Sequence, residues 1–146
     1  MSATENKALM TAIFADLARG DTQSFGAALA DDFTWIISGS NSWSGRYGPG
    51  IAAVRDQLLR PLFARFAGTY ANHATRFTAE DDVVIVQCNG DVATADGARY
   101  DNDYCLVYRL REGRIAEVTE YMDSALAERV LGALPDVVAR FKAAAA

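Results

Sequence analysis

Four stretches rich in β-branched and aromatic residues follow one another through the second half of this 146-residue chain, separated by short polar connections. They cover residues 70–78, 83–95, 98–111 and 114–123. Two of the connections, Asp96-Gly97 and Glu112-Gly113, have the composition of two-residue hairpin turns, for which Asp-Gly is the stronger signal. Strands joined this closely pair in antiparallel fashion. The second half is therefore predicted to form one curled antiparallel sheet.

The first half of the chain shows helical patterning instead. Ser2 and Glu5 fit a capping box and precede apolar residues at helical spacing. A short second helix follows, then a strand at residues 33–37. A third helix begins near Pro49 and is expected to kink at Pro61, which has no N–H to donate. Three helices ahead of an antiparallel sheet indicate an α+β fold with the helices packed on one sheet face.

The remaining segments complete this architecture. Small residues at 38–45 predict an exposed loop, and residues 124–131 predict a closing helix. Residues 133–146 are expected to form a C-terminal helical tail. The length suits a single domain spanning residues 1–146.

Composition argues against several kinds of partner. The formal net charge is −5 and no basic stripe is present, so nucleic acid is not an expected partner. No apolar run approaches the ~20 residues of a membrane span, and the N-terminus lacks a signal-peptide pattern. With only Cys88 and Cys105, a reduced cytoplasmic protein is expected. One histidine and scattered carboxylates lack the spacing of metal ligands, so no metal site is predicted.

Two-residue turns determine which residues of adjacent strands face each other. Counting back from the turns predicts one inward-facing row across the sheet, made of His73, Cys88, Cys105 and Glu120. The same face carries valines and, toward one end, Asp103. The opposite face is also partly apolar, and a homodimer through this outer face is predicted to cover it. The residues placed on each face are as follows: inward Val84, Val86, Val107 and Val118; outward Ile85, Tyr104, Leu106, Tyr108 and Tyr121.

Glu120 is the main candidate for chemistry. Burial beside valines would raise the pKa of its carboxyl group, which prepares a group for acid or base catalysis near neutral pH. The alternative is a structural carboxylate in water, or one paired with Arg99 or Arg109. His73 is the second candidate because histidine ordinarily exchanges a proton near neutral pH, although a lone histidine can be purely structural.

Aromatic residues suggest a ligand pocket. Trp35 is expected to face inward with Phe33 and Ile37, either as a pocket wall or as ordinary core. Trp43 and Tyr47 lie in and beside the loop of small residues, where exposed aromatic side chains would mark a pocket mouth.

The chain also resembles a known superfamily. Residues 18–21 and 30–35 resemble the opening of nuclear transport factor 2-like proteins. Residues 97–104, 111–115 and 120–123 resemble the closing pattern of the SnoaL-like branch, which includes sequences similar to ketosteroid isomerases, limonene-epoxide hydrolases and polyketide cyclases. The resemblance implies a cone, in which a curved sheet wraps around three N-terminal helices and encloses an apolar pocket. It also implies a dimer through the outer sheet face.

The resemblance also implies which positions of this sequence correspond to the catalytic residues of these families. The ketosteroid-isomerase base matches Ile37 here, and the second carboxyl of that site falls near Cys105, with Asp103 close by. Against the epoxide hydrolases, Glu120 takes the place of one catalytic aspartate. SnoaL-like cyclases need only an apolar pocket and one acid/base carboxyl for an intramolecular aldol closure, a role that Glu120 would fill with His73 as proton partner.

These observations lead to two hypotheses. The first is a cofactor-independent acid/base enzyme of the isomerase, cyclase or hydrolase type, acting on a small apolar carbonyl compound. The second is a non-catalytic dimeric binder of a small apolar ligand. A closed cavity that holds Glu120 and a second polar group would favour the enzyme. The predicted ligand-binding residues are Trp35, Ile37, Trp43, Tyr47, Cys88, Asp103, Cys105 and Val118.

Overall fold

The structure is a computed structural model that describes residues 1–133. The helices are α1 (Ala3–Leu17), α2 (Gln23–Ala28), α3 (Ile51–Val54), a π-helical segment (Arg55–Leu59), α4 (Arg60–Phe63) and α5 (Ser124–Leu131). The strands are β1 (Leu29–Ile37), β2 (Gly45–Tyr47), β3 (Phe66–Glu80), β4 (Val83–Thr94), β5 (Asp103–Arg111) and β6 (Arg114–Met122). The helix predicted within the C-terminal tail lies outside the described residues. Among the described helices, none is both long and apolar enough to cross a membrane.

The strands form one six-stranded sheet in the order β2-β1-β6-β5-β4-β3. Strands β3 to β6 are antiparallel neighbours, which confirms the predicted run of hairpins. Strand β1, for which the sequence predicts no partner, pairs with β6 in parallel. These two strands are far apart in the chain, so no tight turn imposes an antiparallel pairing on them.

Helix α1 closes the inner face of the sheet. The predicted capping box is present: the Ser2 hydroxyl accepts from the Glu5 N–H, and the Glu5 carboxylate accepts from the Ser2 N–H. The buried ring of Phe14 meets Phe77 of β3 and Tyr108 of β5 edge to face, with centroids 5.8 and 6.1 Å apart. Edge-to-face pairs of this kind stabilise a core beyond the area that they bury. The core therefore lies between the helices and the inner face of β3–β6.

The predicted register between β4 and β5 is wrong by one residue. The connection is the three-residue Ala95-Asp96-Gly97 rather than a two-residue turn, because the Thr94 N–H donates to the Ala98 carbonyl. Gly97 has a φ of 88°, the left-handed conformation that a three-residue hairpin loop requires. Every residue of β5 consequently turns to the face opposite to the one predicted, so Cys105 and Val107 lie outward.

A second shift, between β5 and β6, compensates for the first. Arg111 faces Arg114 as predicted, but Arg109 pairs with Glu117 while Leu110 pairs with Ile115. Ala116 is therefore an extra residue, a β-bulge that reverses the facing of all later residues in β6. Glu120 faces inward as predicted, but its partner in the sheet is Leu106 rather than Cys105.

A third irregularity moves His73 out of the predicted row. Ala74 pairs with Cys88 and Arg76 pairs with Gln87, which leaves Thr75 as a bulge in β3. Asn72 consequently takes the buried position, and His73 lies on the outer face, where Nε2 is 3.1 Å from Oδ2 of Asp91. The predicted row is therefore not formed.

The apolar side chains of the outer face differ from those predicted, because Tyr104, Leu106 and Tyr108 point inward while Cys105 and Val107 point outward. Tyr121 remains on it, 49% exposed. A homodimer through this face stays a prediction, as does the cytoplasmic location.

Asn102, directly before β5, links this segment of the chain to the end of β6. Its side chain is fully buried, and Nδ2 donates to the Tyr100 hydroxyl at 2.9 Å and to the Asp123 carbonyl at 3.2 Å. Its Oδ1 accepts from the Asp123 N–H at 3.0 Å. Asp123 in turn caps α5 by accepting from the Leu126 N–H. One amide side chain thus holds Tyr100 and the start of α5 in fixed positions.

Replacing Asn102 with alanine is expected to lower the free energy of unfolding by about 2–3 kcal/mol, because buried backbone and hydroxyl groups lose their partners. Urea unfolding followed by circular dichroism measures the change. The matched control is Asn89→Ala, which removes a surface amide beside Asp103. Equal stability of the two variants would contradict the anchoring role of Asn102.

Candidate functional site

A cavity of about 430 Å³ lies between the helices and the inner face of the sheet. Its walls are mainly aliphatic and aromatic, from α1, α2, the α3–α4 region, α5 and the strands β1, β3, β5 and β6. Pockets of this size and character are typical of sites for small organic molecules. The polar atoms on its walls are few, so each of them bears on what the cavity can bind.

Glu120 is the one carboxylate on the cavity wall among the described residues. It lies on β6 between Ile37 of β1 and Leu106 of β5, and is 8% exposed. Burial raises the pKa of its carboxyl group to about 7, against a smaller lowering effect of a hydrogen bond from Trp35. Near neutral pH this group is therefore divided between its protonated and ionised forms.

Trp35 holds the carboxyl group in place. Its indole Nε1 donates to Oε1 of Glu120 over 3.2 Å. The indole ring is in turn held edge-on by Phe25 and Phe33, with centroids 6.3 and 6.1 Å away. The parallel pairing of β1 with β6 makes this contact possible, since it sets Trp35 beside Val118, two residues before Glu120. The predicted inward aromatic wall is therefore present, and it carries a hydrogen-bond donor.

A cluster of hydroxyl groups forms a second polar region of the cavity wall. Tyr70 is hydrogen-bonded to Tyr104 and accepts from Nδ2 of Asn72 at 3.2 Å, and Tyr100 also lines the cavity. Burial raises the pKa of Tyr100 to about 12 and also raises the pKa values of Tyr70 and Tyr104, with a further contribution from the charge of Glu120. All three hydroxyl groups therefore keep their protons at neutral pH.

Gly90 makes room for this cluster. A Cβ atom there would lie 3.2 Å from the Tyr70 hydroxyl oxygen and 3.3 Å from a ring carbon of Tyr104. Both distances are shorter than ordinary van der Waals contact, so a larger residue would displace the two tyrosines. The absence of a side chain at this point of β4 is therefore part of the site.

The sequence of the chain matches a model of the SnoaL-like domain over residues 10–118, more than half of its length. The chain belongs to the SnoaL-like domain family. The fold expected from the resemblance is thereby confirmed. A search of curated proteins found no significant match to this SnoaL-like chain.

Solved structures show the same fold at low sequence identity. Bal32a, from a soil-derived mobile gene cassette, is 21% identical with a TM-score of 0.73, and the match covers 88% of this chain and 98% of that one. An NTF2-like protein of unknown function from Burkholderia pseudomallei is 20% identical with a TM-score of 0.72, covering 91% and 100%. A Jannaschia protein whose name assigns it to the SnoaL-like polyketide cyclases is 17% identical with a TM-score of 0.70, covering 91% and 95%.

The cavity of this SnoaL-like protein contains four of the residues predicted to form the site: Trp35, Ile37, Trp43 and Glu120. Two others, Cys88 and Val118, are buried in the core but do not line the cavity. Burial raises the pKa of the Cys88 thiol to about 12, so this thiol is not a nucleophile at neutral pH.

Three predicted site residues lie away from the cavity. His73 and Asp103 are exposed, and Cys105 is half-buried on the outer face. The prediction that these residues join Glu120 is wrong, because the Thr75 bulge and the three-residue β4–β5 connection turn them away from the inner face.

Trp43 and Tyr47 are buried rather than exposed at a pocket mouth. Trp43 donates from Nε1 to the Gly132 carbonyl at 2.9 Å, and the Arg65 guanidinium lies 5.0 Å from its ring centroid. Tyr47 donates to the Trp43 carbonyl at 2.7 Å and does not line the cavity. The loop of small residues therefore folds under the end of α5, with Trp43 as cavity wall and Tyr47 as its support.

Sequence reasoning missed the polar cluster of Tyr70, Asn72, Tyr100 and Tyr104. The alternation of Tyr100, Asn102 and Tyr104 was an available signal, since side chains two apart in an extended segment share a face. The predicted register gives β5 the opposite facing, and it therefore places Tyr104 on the outer face of the sheet.

Proposed function

We propose that this protein is a cofactor-independent acid/base enzyme that moves a proton on a small, largely apolar carbonyl compound. The observation that carries the proposal is the Glu120 carboxyl group, buried in the apolar cavity with one oxygen held by Trp35 Nε1 at 3.2 Å. A structural carboxylate would ordinarily be paired with a cation or hydrated. This one is desolvated, which is how enzymes adjust a carboxyl group for proton transfer near pH 7.

The two oxygens of the Glu120 carboxyl group have different hydrogen-bonding environments. Oε1 accepts from Trp35, whereas no residue in the described part of the chain donates to Oε2. Oε2 is therefore the oxygen available to remove a proton from a carbon next to the substrate carbonyl and to return it at another position. The Trp35 hydrogen bond limits rotation of the carboxyl group and so favours one approach to the substrate.

The tyrosine hydroxyl groups act on the carbonyl oxygen of the substrate, where they stabilise negative charge. Removal of a proton beside a carbonyl leaves negative charge on the carbonyl oxygen, and donors already in position stabilise that charge. Tyr104 and Tyr70 share a hydrogen bond and stay protonated, so one of their hydroxyl hydrogens can be redirected to the substrate oxygen. The surrounding aromatic walls exclude water and strengthen this interaction.

This chemistry suits a double-bond isomerisation or an intramolecular aldol closure, both of which begin with the same proton removal. The alternative, a non-catalytic binder, would require only the apolar walls. The second polar group beside Glu120, Trp35 Nε1, favours the enzyme. His73 has no part in the proposed mechanism, because it lies on the outer face.

The proposal is tested by incubating the protein in D₂O with small apolar ketones such as α-tetralone and β-decalone. Proton NMR would follow deuterium incorporation next to the carbonyl, and saturation-transfer signals would report binding. Exchange faster than in buffer is expected for at least one ketone. Binding without accelerated exchange across the panel would support the binder instead.

A matched pair of variants locates the activity in the cavity. Tyr104→Phe removes one hydroxyl donor and is expected to slow exchange by about 10²-fold, the usual effect of losing one such donor. Tyr121→Phe removes an exposed hydroxyl from the outer face and is expected to leave the rate unchanged. Equal rates in the two variants would remove the tyrosine cluster from the mechanism.

A further inference from the structure

The charged side chains that line the cavity differ in sign and in burial: the carboxyl group is buried, and the guanidinium groups are exposed. Glu120 lies deep among the strands, whereas Arg55 and Arg60 come from the helical region that covers the cavity, and both are exposed. No other charged residue in the described part of the chain lines the cavity. A ligand in the cavity could therefore meet the buried carboxyl group with one part and the exposed guanidinium groups with another.

The π-helical segment places these two arginines together. The Arg60 N–H donates to the Arg55 carbonyl, a bond between residues five apart. In an α-helix, residues five apart point about 140° away from each other, since each residue turns the helix by about 100°. A π-helical turn contains more residues than an α-helical turn and so reduces this angle. Such turns occur frequently at functional sites, and here both arginines line the cavity.

The two arginine side chains differ in whether they form an ion pair with a neighbouring residue. Arg60 lies 3.4 Å from Asp56, with both side chains largely exposed. The side chain of Arg55 forms none of the ion pairs found within residues 1–133, and it is not the donor of any side-chain hydrogen bond there. Its guanidinium group therefore has its donors available beside an apolar cavity, in a chain whose net charge of −5 would otherwise repel anions.

We propose that the ligand of this cavity is an amphipathic organic anion with an apolar body and one carboxylate. The body lies against the aromatic walls with its reactive carbonyl toward Glu120 and the tyrosines, and the carboxylate is bound at the mouth by Arg55, with Arg60 adding charge. The carbonyl part of this assignment rests on the proposed function. The anion-binding part rests only on the cavity and the two arginines.

The test uses two fluorescent probes that differ by one anionic group. Anilinonaphthalene sulfonate carries a sulfonate in place of the carboxylate, and phenylnaphthylamine is its uncharged parent. Fluorescence titration of wild type is expected to show tighter binding of the sulfonate. Arg55→Gln is expected to weaken sulfonate binding about fivefold to tenfold, as for loss of one charge-assisted hydrogen bond, and to leave phenylnaphthylamine binding unchanged.

The matched control is Arg76→Gln, which removes an exposed arginine of β3 that does not line the cavity. It is expected to bind both probes as wild type does. The proposal is overturned if Arg55→Gln binds the sulfonate as tightly as wild type, if it loses both probes equally, or if wild type binds neither probe. These are binding measurements, so a failure here is distinct from a failure of ketone exchange, which would overturn the proposed catalysis alone.

Discussion

Glu120→Gln is expected to slow proton transfer by about 10²–10⁴-fold, the usual contribution of a positioned acid or base. Glutamine has nearly the same shape as glutamate, and its carbonyl oxygen can still accept from Trp35 Nε1. What it lacks is a proton that can leave and return near pH 7. The variant should therefore fold normally and still bind ligand, so that the loss falls on the rate of the chemical step.

The rate is measured as deuterium incorporation into whichever ketone the wild type exchanges, with circular dichroism to confirm folding. Glu117→Gln provides the control. This residue lies on the same strand, but its carboxylate is 3.8 Å from Arg46 and away from the cavity. A Glu120→Gln rate within twofold of the control rate would exclude Glu120 as the acid/base.

The same substitution is expected to make stability less dependent on pH. The pKa of Glu120 is raised from 4.5 in the unfolded chain to about 7 in the folded protein, so folding favours the protonated form. Below pH 4.5 both states are protonated and this carboxyl group costs no stability. Between pH 4.5 and about 7 the unfolded chain ionises this group while the folded protein keeps it protonated, so stability falls by about 3 kcal/mol, at about 1.4 kcal/mol per pKa unit, and then levels off.

Glutamine does not titrate, so the stability of Glu120→Gln relative to wild type should rise by about 3 kcal/mol between pH 4.5 and pH 8.5. Urea unfolding of both proteins at the two pH values measures the difference. Comparing the two proteins at each pH cancels the titration of all other groups. A stability difference that is the same at both pH values would show that Glu120 is not desolvated in the folded protein.

The sequence predicted the main elements because their signals are local. The capping box at Ser2 and Glu5 and the Glu112-Gly113 turn each depend on a few neighbouring residues, and each is present. The helix interruption near Pro61 was also predictable, because proline cannot donate a backbone hydrogen bond. The π-helical form of that interruption was not, since it depends on packing over the cavity.

The register of the sheet was predictable only in part. An Asp-Gly pair is compatible with both two-residue and three-residue connections, and the bulges at Thr75 and Ala116 have no distinctive sequence signal. Glu120 is predicted on the correct face because two errors cancel: the three-residue connection turns β5 over, and the Ala116 bulge reverses the facing once more in β6. Its neighbours across the sheet were wrong, and the tyrosine cluster was therefore assigned to the outer surface.

Because β6 contains the Ala116 bulge, the face on which Glu120 lies depends more on the number of residues in this strand than on their types. Between the Glu112-Gly113 turn and Glu120, many substitutions would keep the alternation, because the turn and the strand pairing set it. Loss or gain of a single residue between the bulge and Glu120 would instead turn Glu120 toward the solvent and bring Tyr121 inside. This strand should therefore tolerate changes of side chain through evolution far better than changes of length.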